Sequence, residues 1–522
     1  MPSSPRSWPR RGCAELERLG IVDLGSGTSR LVVYAYQPGI HYRLIDEIRE
    51  SLRLAEGLAE TGRLSPLAQE RALSALRLYA DFARATGLPK LKVIATSALR
   101  EAANREEFLR QVEALGLEVQ VIGGEEEAAL GVRAVANSFA LEEAWVVDLG
   151  GGSLQLSRMI QRSYAEGSSY PLGALRLSEL FLSDPPKKSE VQALRAEVRR
   201  QLRHTLAQAR AEPFPLVAMG GSARALARML QKLKAYPLDL VHQYFVDREE
   251  LSELNDQLLS LTTKERVGLA GLQEDRADTV VAAGLVYQTL LEEGGWEGFW
   301  VSGQGIREGL FYESFLPPPH LIPEVRRFAV DNLLAHYPQD PRHIERVRAF
   351  ARTLFEDLRP LHRLDARAQR LLDDSAILHD IGMSVGYYDH HKHGAYLILS
   401  GALPGLSHAE QALLALLVRY HRKGEPQPGA YRKLLGKEGQ RTLLLLTPLL
   451  RLAEYLERSR VGRVRAVRAE LEADSIRLQL EAESEPWVEL VEVRKQASLV
   501  RQAYGKDLEV LWSSTSSATP RP

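Results

Sequence analysis

Two short stretches carry the residue types that phosphate chemistry requires. Residues 146–153 read V-V-D-L-G-G-G-S, and residues 21–28 read I-V-D-L-G-S-G-T. In each, an apolar β-branched run meets an aspartate and then glycines, which suits a buried strand ending in a tight turn. Glycine there keeps side chains out of the way and lets several backbone N–H groups aim at one anion. Asp23 matches Asp148, Gly25 matches Gly150, Gly27 matches Gly152 and Thr28 matches Ser153. Ser26 and Gly151 fill the remaining places. A repeated element implies two similar halves facing one cleft. Neither copy is a Walker loop, since no Gly-Lys-Ser/Thr follows, and neither has the G-x-G-x-x-G spacing of a dinucleotide site. An aspartate at the rim of such a hollow could hold a metal through water.

Two further stretches add chemistry. Thr96-Ser97-Ala98-Leu99-Arg100 follows a strand at 92–95 and could offer hydroxyls and a fixed cation to phosphate, although Arg100 equally suits a surface salt bridge. Gly123-Gly124-Glu125-Glu126-Glu127 follows a strand at 119–122 and opens a helix. Acids at a helix start favour the dipole and capping. The same position can hold a carboxylate rigidly over a cleft, where it could deprotonate water. A third constellation lies later in the chain. His343 starts one helix, His379-Asp380 ends another, His390, His391 and His393 crowd a loop, and His421 ends a helix at 411–420. Imidazoles and a carboxylate from several helices can bind one or two divalent metals.

The elements that must position these groups follow from periodicity. Residues 29–36 read as a second hairpin strand, 51–64 as a loop, and Ser65-Pro66 as a helix start with apolar spacing through 69–86. Pro317-Pro318-Pro319 is a stiff break. Beyond it, Ile344, Val347, Ala351, Leu354, Phe355 and Leu358 mark an amphipathic helix, and Leu371, Leu372, Ala376 and Leu378 mark another. Residues 463–471 and 475–480 alternate as strands, and 487–503 read as a helix. Arg458, Arg460, Arg463, Arg465 and Arg468 form a basic stretch, either a solvated face or a lane for a polyanion.

The chain of 522 residues exceeds one core, so several domains are expected. A formal net charge of −1 argues against a protein that coats nucleic acid along its whole surface. The single cysteine, Cys13, can form no intrachain disulfide, which suits a reducing cytoplasm. No apolar run is long enough to span a membrane, and the Pro/Arg/Ser-rich start lacks the apolar core of a secretory signal. The domains expected are a disordered tail at 1–16, an α/β half made of 17–136 and 137–315, a helical domain at 320–460, a small α+β segment at 461–512 and a second tail at 513–522.

Taken together, D-L-G-S-G-T-S-R-L-V-V, A-T-S-A-L-R-E-A-A-N-R-E-E-F, G-G-E-E-E-A-A-L and D-L-G-G-G-S occur in an order and spacing that resemble the exopolyphosphatase / guanosine pentaphosphate phosphatase family. Stretches 171–182, 218–227, 276–283 and 301–310 fit as well. The resemblance implies two actin-like (ribonuclease H-like) subdomains around a cleft. It implies Glu127 as general base, with Glu126 as the fallback, and Mg²⁺ held through water by Asp148 and Asp23. Gly25, Ser26, Gly27, Thr28 and Gly150, Gly151, Gly152, Ser153 would hold terminal phosphoryl groups, and Arg100 would match the arginine after the family's A-T-S-A strand. Glu308 lies in a segment that returns to the cleft.

Two departures stand out. The family's second turn continues G-G-G-S-T-E, whereas this chain has Leu154-Gln155, so Gln155 is at most a weak, uncharged ligand. The first turn usually reads G-S-N-S, and Gly27 replaces the asparagine. The later region resembles an all-α HD-type domain. Its possible second divalent metal would sit among His343, His379, Asp380, His393, His421 and Glu454. A helical scaffold with leftover histidines is the other reading of the same residues.

The function implied is release of orthophosphate from the end of inorganic polyphosphate, or of the 5′-terminal phosphate from guanosine pentaphosphate, by a cytoplasmic homodimer. Nucleic acid and membrane are not expected partners. The alternatives are a binding sensor with little hydrolysis, motivated by Gln155 and Gly27, and a metal-dependent phosphohydrolase centred on the histidines.

Overall fold

The computed structural model describes residues 16–514. Residues 1–15 and 515–522, and with them Cys13 and most of both expected tails, lie outside the described part. Ser513 and Ser514 lie inside it and finish a strand instead of beginning a tail. The chain divides into two compact units, residues 1–325 and 326–522.

The first unit is built on two sheets. The strands of one are β1 (Glu17–Leu24), β2 (Thr28–Gln37), β3 (His41–Ser51), β4 (Leu91–Ala95) and β5 (Val119–Val121). Those of the other are β6 (Ala144–Leu149), β7 (Leu154–Ile160), β8 (Ser163–Tyr170), β9 (Leu216–Met219), β10 (Phe245–Asp247) and β11 (Gly298–Val301). Their orders are β3-β2-β1-β4-β5 and β8-β7-β6-β9-β11-β10. In both, the first three strands form an antiparallel meander and the next two continue parallel to the aspartate-bearing strand. The duplication inferred from the two turns is therefore a duplication of whole sheets, with β10 added at one edge.

The aspartate-bearing strands lie at the centre because their sequences allow nothing else. Leu19, Ile21, Val22 and Leu24 are buried, as are Ala144, Trp145, Val146, Val147 and Leu149. A strand apolar on both faces must be covered on both faces. Register then fixes the chemistry: Asp23 pairs with Arg30 and Asp148 with Gln155, each one residue before the turn-side end of its ladder.

Helix Gly124–Ala136 follows β5 and carries the glutamate run in its first turn. It packs on helix Ile306–Phe315 so closely that a Cβ on Gly309 would lie 2.0 Å from the Leu130 carbonyl oxygen. The residue therefore sets the height of the glutamate helix over the cleft.

The second unit is helical, then α+β. Helices Pro341–Asp357, Ala366–Leu378, His390–Leu399, His408–Tyr420 and Arg432–Leu456 surround a core that includes Val347, Leu354, Phe355, Leu378, Leu414 and Leu446. Asp340, Asp365 and Ser407 cap three of them by accepting backbone N–H groups. The strands β12 (Val464–Leu471), β13 (Ser475–Ala482) and β14 (Asp507–Ser514) form a sheet in that order, with β13 and β14 parallel. The helix expected over 487–503 is two, Trp487–Arg494 and Ala497–Tyr504, because Gln496 leaves helical geometry between them.

A Gly309→Ala variant should lose about 2 kcal/mol of stability, since the clash is with backbone that cannot step aside. Urea unfolding monitored by circular dichroism checks this, and activity should fall more than the fraction unfolded.

Candidate active site

The two turns are built alike and touch. Gly25 N donates to Thr28 O at 3.1 Å, and Gly150 N donates to Ser153 O at 3.0 Å. In each, the carbonyls are tied away from the hollow. Ser26 O accepts from Ala55 N, and Gly27 O accepts from Leu52 N and Arg53 N. Gly151 O accepts from Leu175 N and Arg176 N, and Gly150 O from Ala174 N, at the start of helix Ala174–Phe181. The amides of Ser26, Gly27, Gly151 and Gly152 are left without a backbone acceptor among the described residues. Peptide planes pinned by their carbonyls, at Ser26 and Gly150, suit the Gly27 and Gly151 amides to an anion. Gly152, expected beside them, is buried against Ser26 and Ser97 and does not line the hollow.

Glycine is required at the contact between the turns. A Cβ on Gly152 would lie 2.8 Å from Ser26 Oγ and 2.7 Å from Ser97 Oγ, and one on Gly151 would lie 3.3 Å from Gly27 N. Ser26 and Ser97 hydroxyls share a hydrogen bond of 2.9 Å. The halves of the unit thus meet backbone to backbone around one hollow, lined by Asp23, Gly25, Ser26, Gly27, Thr28, Ser97, Glu127, Asp148, Gly150, Gly151 and Ser153 among others.

Four carboxylates line this hollow, Asp23, Glu127, Asp148 and Asp275, the last of them paired with Arg49. Glu127 is 7% exposed, and burial pushes it up to about 8, against the pull of Arg100. Burial likewise pushes Asp148 up to about 6, opposed by Arg224, and raises Asp23, opposed by Arg307. Asp23 Oδ1 is buried without a hydrogen-bond partner, and a Cβ on Gly220 would come within 2.4 Å of Asp148 Oδ1. A buried carboxylate oxygen without a protein donor, with a second carboxylate lining the same hollow, fits a hard cation with oxygen ligands, as Mg²⁺ is. Gly220, with φ +87°, is thus needed both for its left-handed backbone and for the close approach of Asp148.

Some expected residues sit elsewhere. Arg100 does not line the hollow. Its Nη1 donates to Ile122 O at 2.8 Å and to Glu127 Oε2 at 3.2 Å, so it positions the glutamate. Glu126 is exposed and accepts from Gln120, so the fallback points away. Gln155 is buried and gives its amide nitrogen to Ser153 Oγ and Ser169 Oγ, at 2.9 and 3.0 Å, outside the hollow. It braces the second turn rather than presenting an oxygen to metal. Glu308 caps its own helix through Gly305 N and accepts from Tyr34.

Sequence reasoning missed the cations. Arg30, Arg53, Arg224, Arg276 and Arg307 line the hollow. Burial, and after it Arg307 and Arg30, lower Arg224 to about 10. The signal for Arg224 was present: Gly220-Gly221-Ser222 follows a strand, a third glycine turn aimed at the same hollow.

A second cluster lies in the helical unit. His343 Nε2 and His379 Nε2 are 3.1 Å apart, and Glu454 Oε2 is 3.2 Å from each. Asp380 Oδ2 is 3.7 Å from both, while its Oδ1 is 3.3 Å from His390 Nε2 and 3.8 Å from His421 Nε2. His393, expected to join, is only partly buried and outside the cluster, and His390 takes its place. Both lie on helix His390–Leu399, three residues apart, but only His390 reaches the shared aspartate.

The raised position of Glu127 has a sign consequence for stability. A buried acid whose folded value exceeds its unfolded value stabilises the fold below the unfolded value and loses that contribution as pH rises through the folded one. A Glu127→Gln variant should therefore melt several degrees above the wild type at pH 9, with the difference fading toward pH 4. Scanning calorimetry across that range checks it.

Residues 32–317 match the model of the Ppx/GppA phosphatase family, and residues 325–500 match that of Ppx/GppA phosphatase, domain III. Among solved structures, an exopolyphosphatase from Cytophaga hutchinsonii is 22% identical with a TM-score of 0.54, covering 57% of this chain and 98% of its own. A Ppx/GppA family member from Aquifex aeolicus is 28% identical with a TM-score of 0.48, covering 57% of this chain and 96% of its own. With one family match over more than half of its length and a second over the helical unit, the chain belongs to the Ppx/GppA phosphatase family.

Proposed function

We propose that the cleft of the first unit removes the terminal phosphoryl group of inorganic polyphosphate and releases orthophosphate. The observation that carries this reading is the contact of two amide-presenting turns beneath a buried glutamate held near a neutral pKa. The end group would be bound by Ser26, Gly27 and Gly151 amides, with Ser97 and Ser153 hydroxyls beside them. Asp23 and Asp148 would hold Mg²⁺, which supplies neutralisation of the non-bridging oxygens when bound. Glu127 orients and deprotonates the attacking water, and Arg100 holds its carboxylate in place.

The arginines favour a polyanion. Arg30, Arg53, Arg224, Arg276 and Arg307 set several guanidinium groups around one hollow, more than a single phosphate needs. A polyphosphate tail has a charge on each unit to meet them. Guanosine pentaphosphate ends in the same anhydride and could enter the same turns with its 5′ chain. Gln155 gives no support to a non-hydrolytic sensor, because its amide is engaged with two serines outside the hollow.

Glu127→Gln should lower phosphate release from polyphosphate by about 10²–10⁴-fold, the contribution usual for a positioned base, while polyphosphate affinity changes little. Malachite-green assay of released phosphate, beside a filter-binding assay, measures the two. Equal rates in variant and wild type would remove Glu127 from the mechanism. Because Arg100 lowers the Glu127 value, Arg100→Gln should move the rising limb of the pH–rate profile toward higher pH. An unmoved limb would place Arg100 outside the control of the base.

A further inference from the structure

We propose that Glu308 is a fixed counter-charge behind the cleft, tied by Tyr34 so that it weakens the hold of the arginines on phosphate without bonding to any of them. This role rests on the reading of the hollow as a site for phosphate-bearing anions.

Glu308 stands next to a cleft cation, yet it does not line the cleft. Gly305, Ile306 and Arg307 line the hollow, and Glu308 follows them in the first turn of helix Ile306–Phe315. Both of its carboxylate oxygens are taken. Oε2 accepts from Gly305 N at 2.7 Å, and Oε1 accepts from the Tyr34 hydroxyl at 2.8 Å. Tyr34 comes from β2 and is 3% exposed. Its ring stacks on Phe311 of the glutamate's own helix, with centroids 4.2 Å apart. Burial, and after it Glu308, raise the Tyr34 phenol well above its ordinary value, so it stays protonated and donates. A carboxylate tethered at both oxygens is kept from swinging onto a neighbouring guanidinium.

Arg307 shows the consequence. Among the described residues its guanidinium makes no hydrogen bond and no salt bridge. Glu308 acts on it through space instead. Burial lowers the Arg307 value, but Glu308 and then Asp23 outweigh it, and the net direction is upward. The same carboxylate acts on Arg224 and Arg30, which burial and Arg307 lower, and, behind burial, it raises Asp23. One negative charge thus offsets three arginines of the hollow while leaving Arg307's donors free for phosphate oxygens.

Such a charge favours release. Guanidinium groups without compensation would hold substrate and orthophosphate alike, and tighter binding of both does not raise turnover. A counter-charge out of reach of the anion lowers that hold without competing for its oxygens. The turns and Glu127 are left to favour the transition state.

Equilibrium binding separates this role from a structural one. The full chain is titrated in Mg²⁺ with orthophosphate and with the methylene-bridged analogue of tripolyphosphate, which is not hydrolysed, by isothermal calorimetry. Glu308→Gln keeps an acceptor for Gly305 N and Tyr34 but removes the charge, and it should bind both anions about tenfold more tightly. Tyr34→Phe frees Oε1 to pair with Arg307, and it should bind both about threefold more weakly. Lost packing alone would move both variants the same way. Glu126→Gln removes the same charge from an exposed side chain outside the hollow and should leave both affinities unchanged. In the phosphate-release assay Glu308→Gln should lower KM and kcat together, because product leaves more slowly. Unchanged or weaker binding by Glu308→Gln overturns the counter-charge and leaves the cleft reaction standing. So does binding by Tyr34→Phe as tight as the wild type's or tighter, and this variant, which lacks only a hydroxyl, tests the tether even if Glu308→Gln fails to fold. A wild type that binds neither anion overturns the reading of the hollow itself, and the counter-charge with it.

Discussion

The cleft depends on one contact, the meeting of two glycine turns with nothing but backbone and small hydroxyls between them. Each turn follows an aspartate on a strand buried on both faces, so the carboxylates are placed by the sheets and not by flexible loops. Each has its carbonyls drawn back by amides behind it, from residues 52–55 in one half and from the start of helix Ala174–Phe181 in the other. The partners differ, yet the result is the same, an amide-rich wall. Any side chain at Gly152 would collide with Ser26 and Ser97 and push the two halves apart.

Electrostatics follow from that closure. Burying Asp23, Asp148 and Glu127 together is unfavourable for their charged forms, and each is raised. Buried arginines in the same hollow oppose this from the other side, and Arg224 is itself lowered. A site with unsatisfied acids and crowded cations is unsettled in isolation. A multivalent phosphate with its metal would relieve both, binding anionic oxygens to the guanidinium groups and the cation to the aspartates. Catalytic sites store such conflict because the same groups must change partners during reaction.

The helical unit repeats this logic with different chemistry. Caps at Asp340, Asp365 and Ser407 start the helices, and an apolar core holds them so that ring nitrogens converge. Backbone carbonyls at Ala376, Tyr387 and Val418 choose the tautomer of three histidines. The ring orientations are therefore set by main-chain geometry, as the cleft's amides are.

The turns, the aspartates, the strand–turn–helix around Glu127 and the duplication could be read in the sequence, because each is a local pattern of glycine, acid and apolar period. So could helices Pro341–Asp357, Ala366–Leu378 and His408–Tyr420 and the strands β12 and β13, whereas His390, His391 and His393, expected in a loop, open helix His390–Leu399. What could not be read is which side chain faces where across long separations. Arg100 looks like a phosphate ligand in its strand motif, but the hollow turns it onto Glu127, 27 residues on. His390 and His393 are equivalent in composition, and only the helix face decides between them. Gln155 sits beside Asp148 in the ladder, yet two serines capture its amide. The arginines of the cleft come from five separate segments, so no window of sequence contains them together. Local backbone preference and burial are written in neighbouring residues, and the sequence determined them. Convergence of charge and tautomer is settled only when distant elements pack, and that the tertiary structure decided.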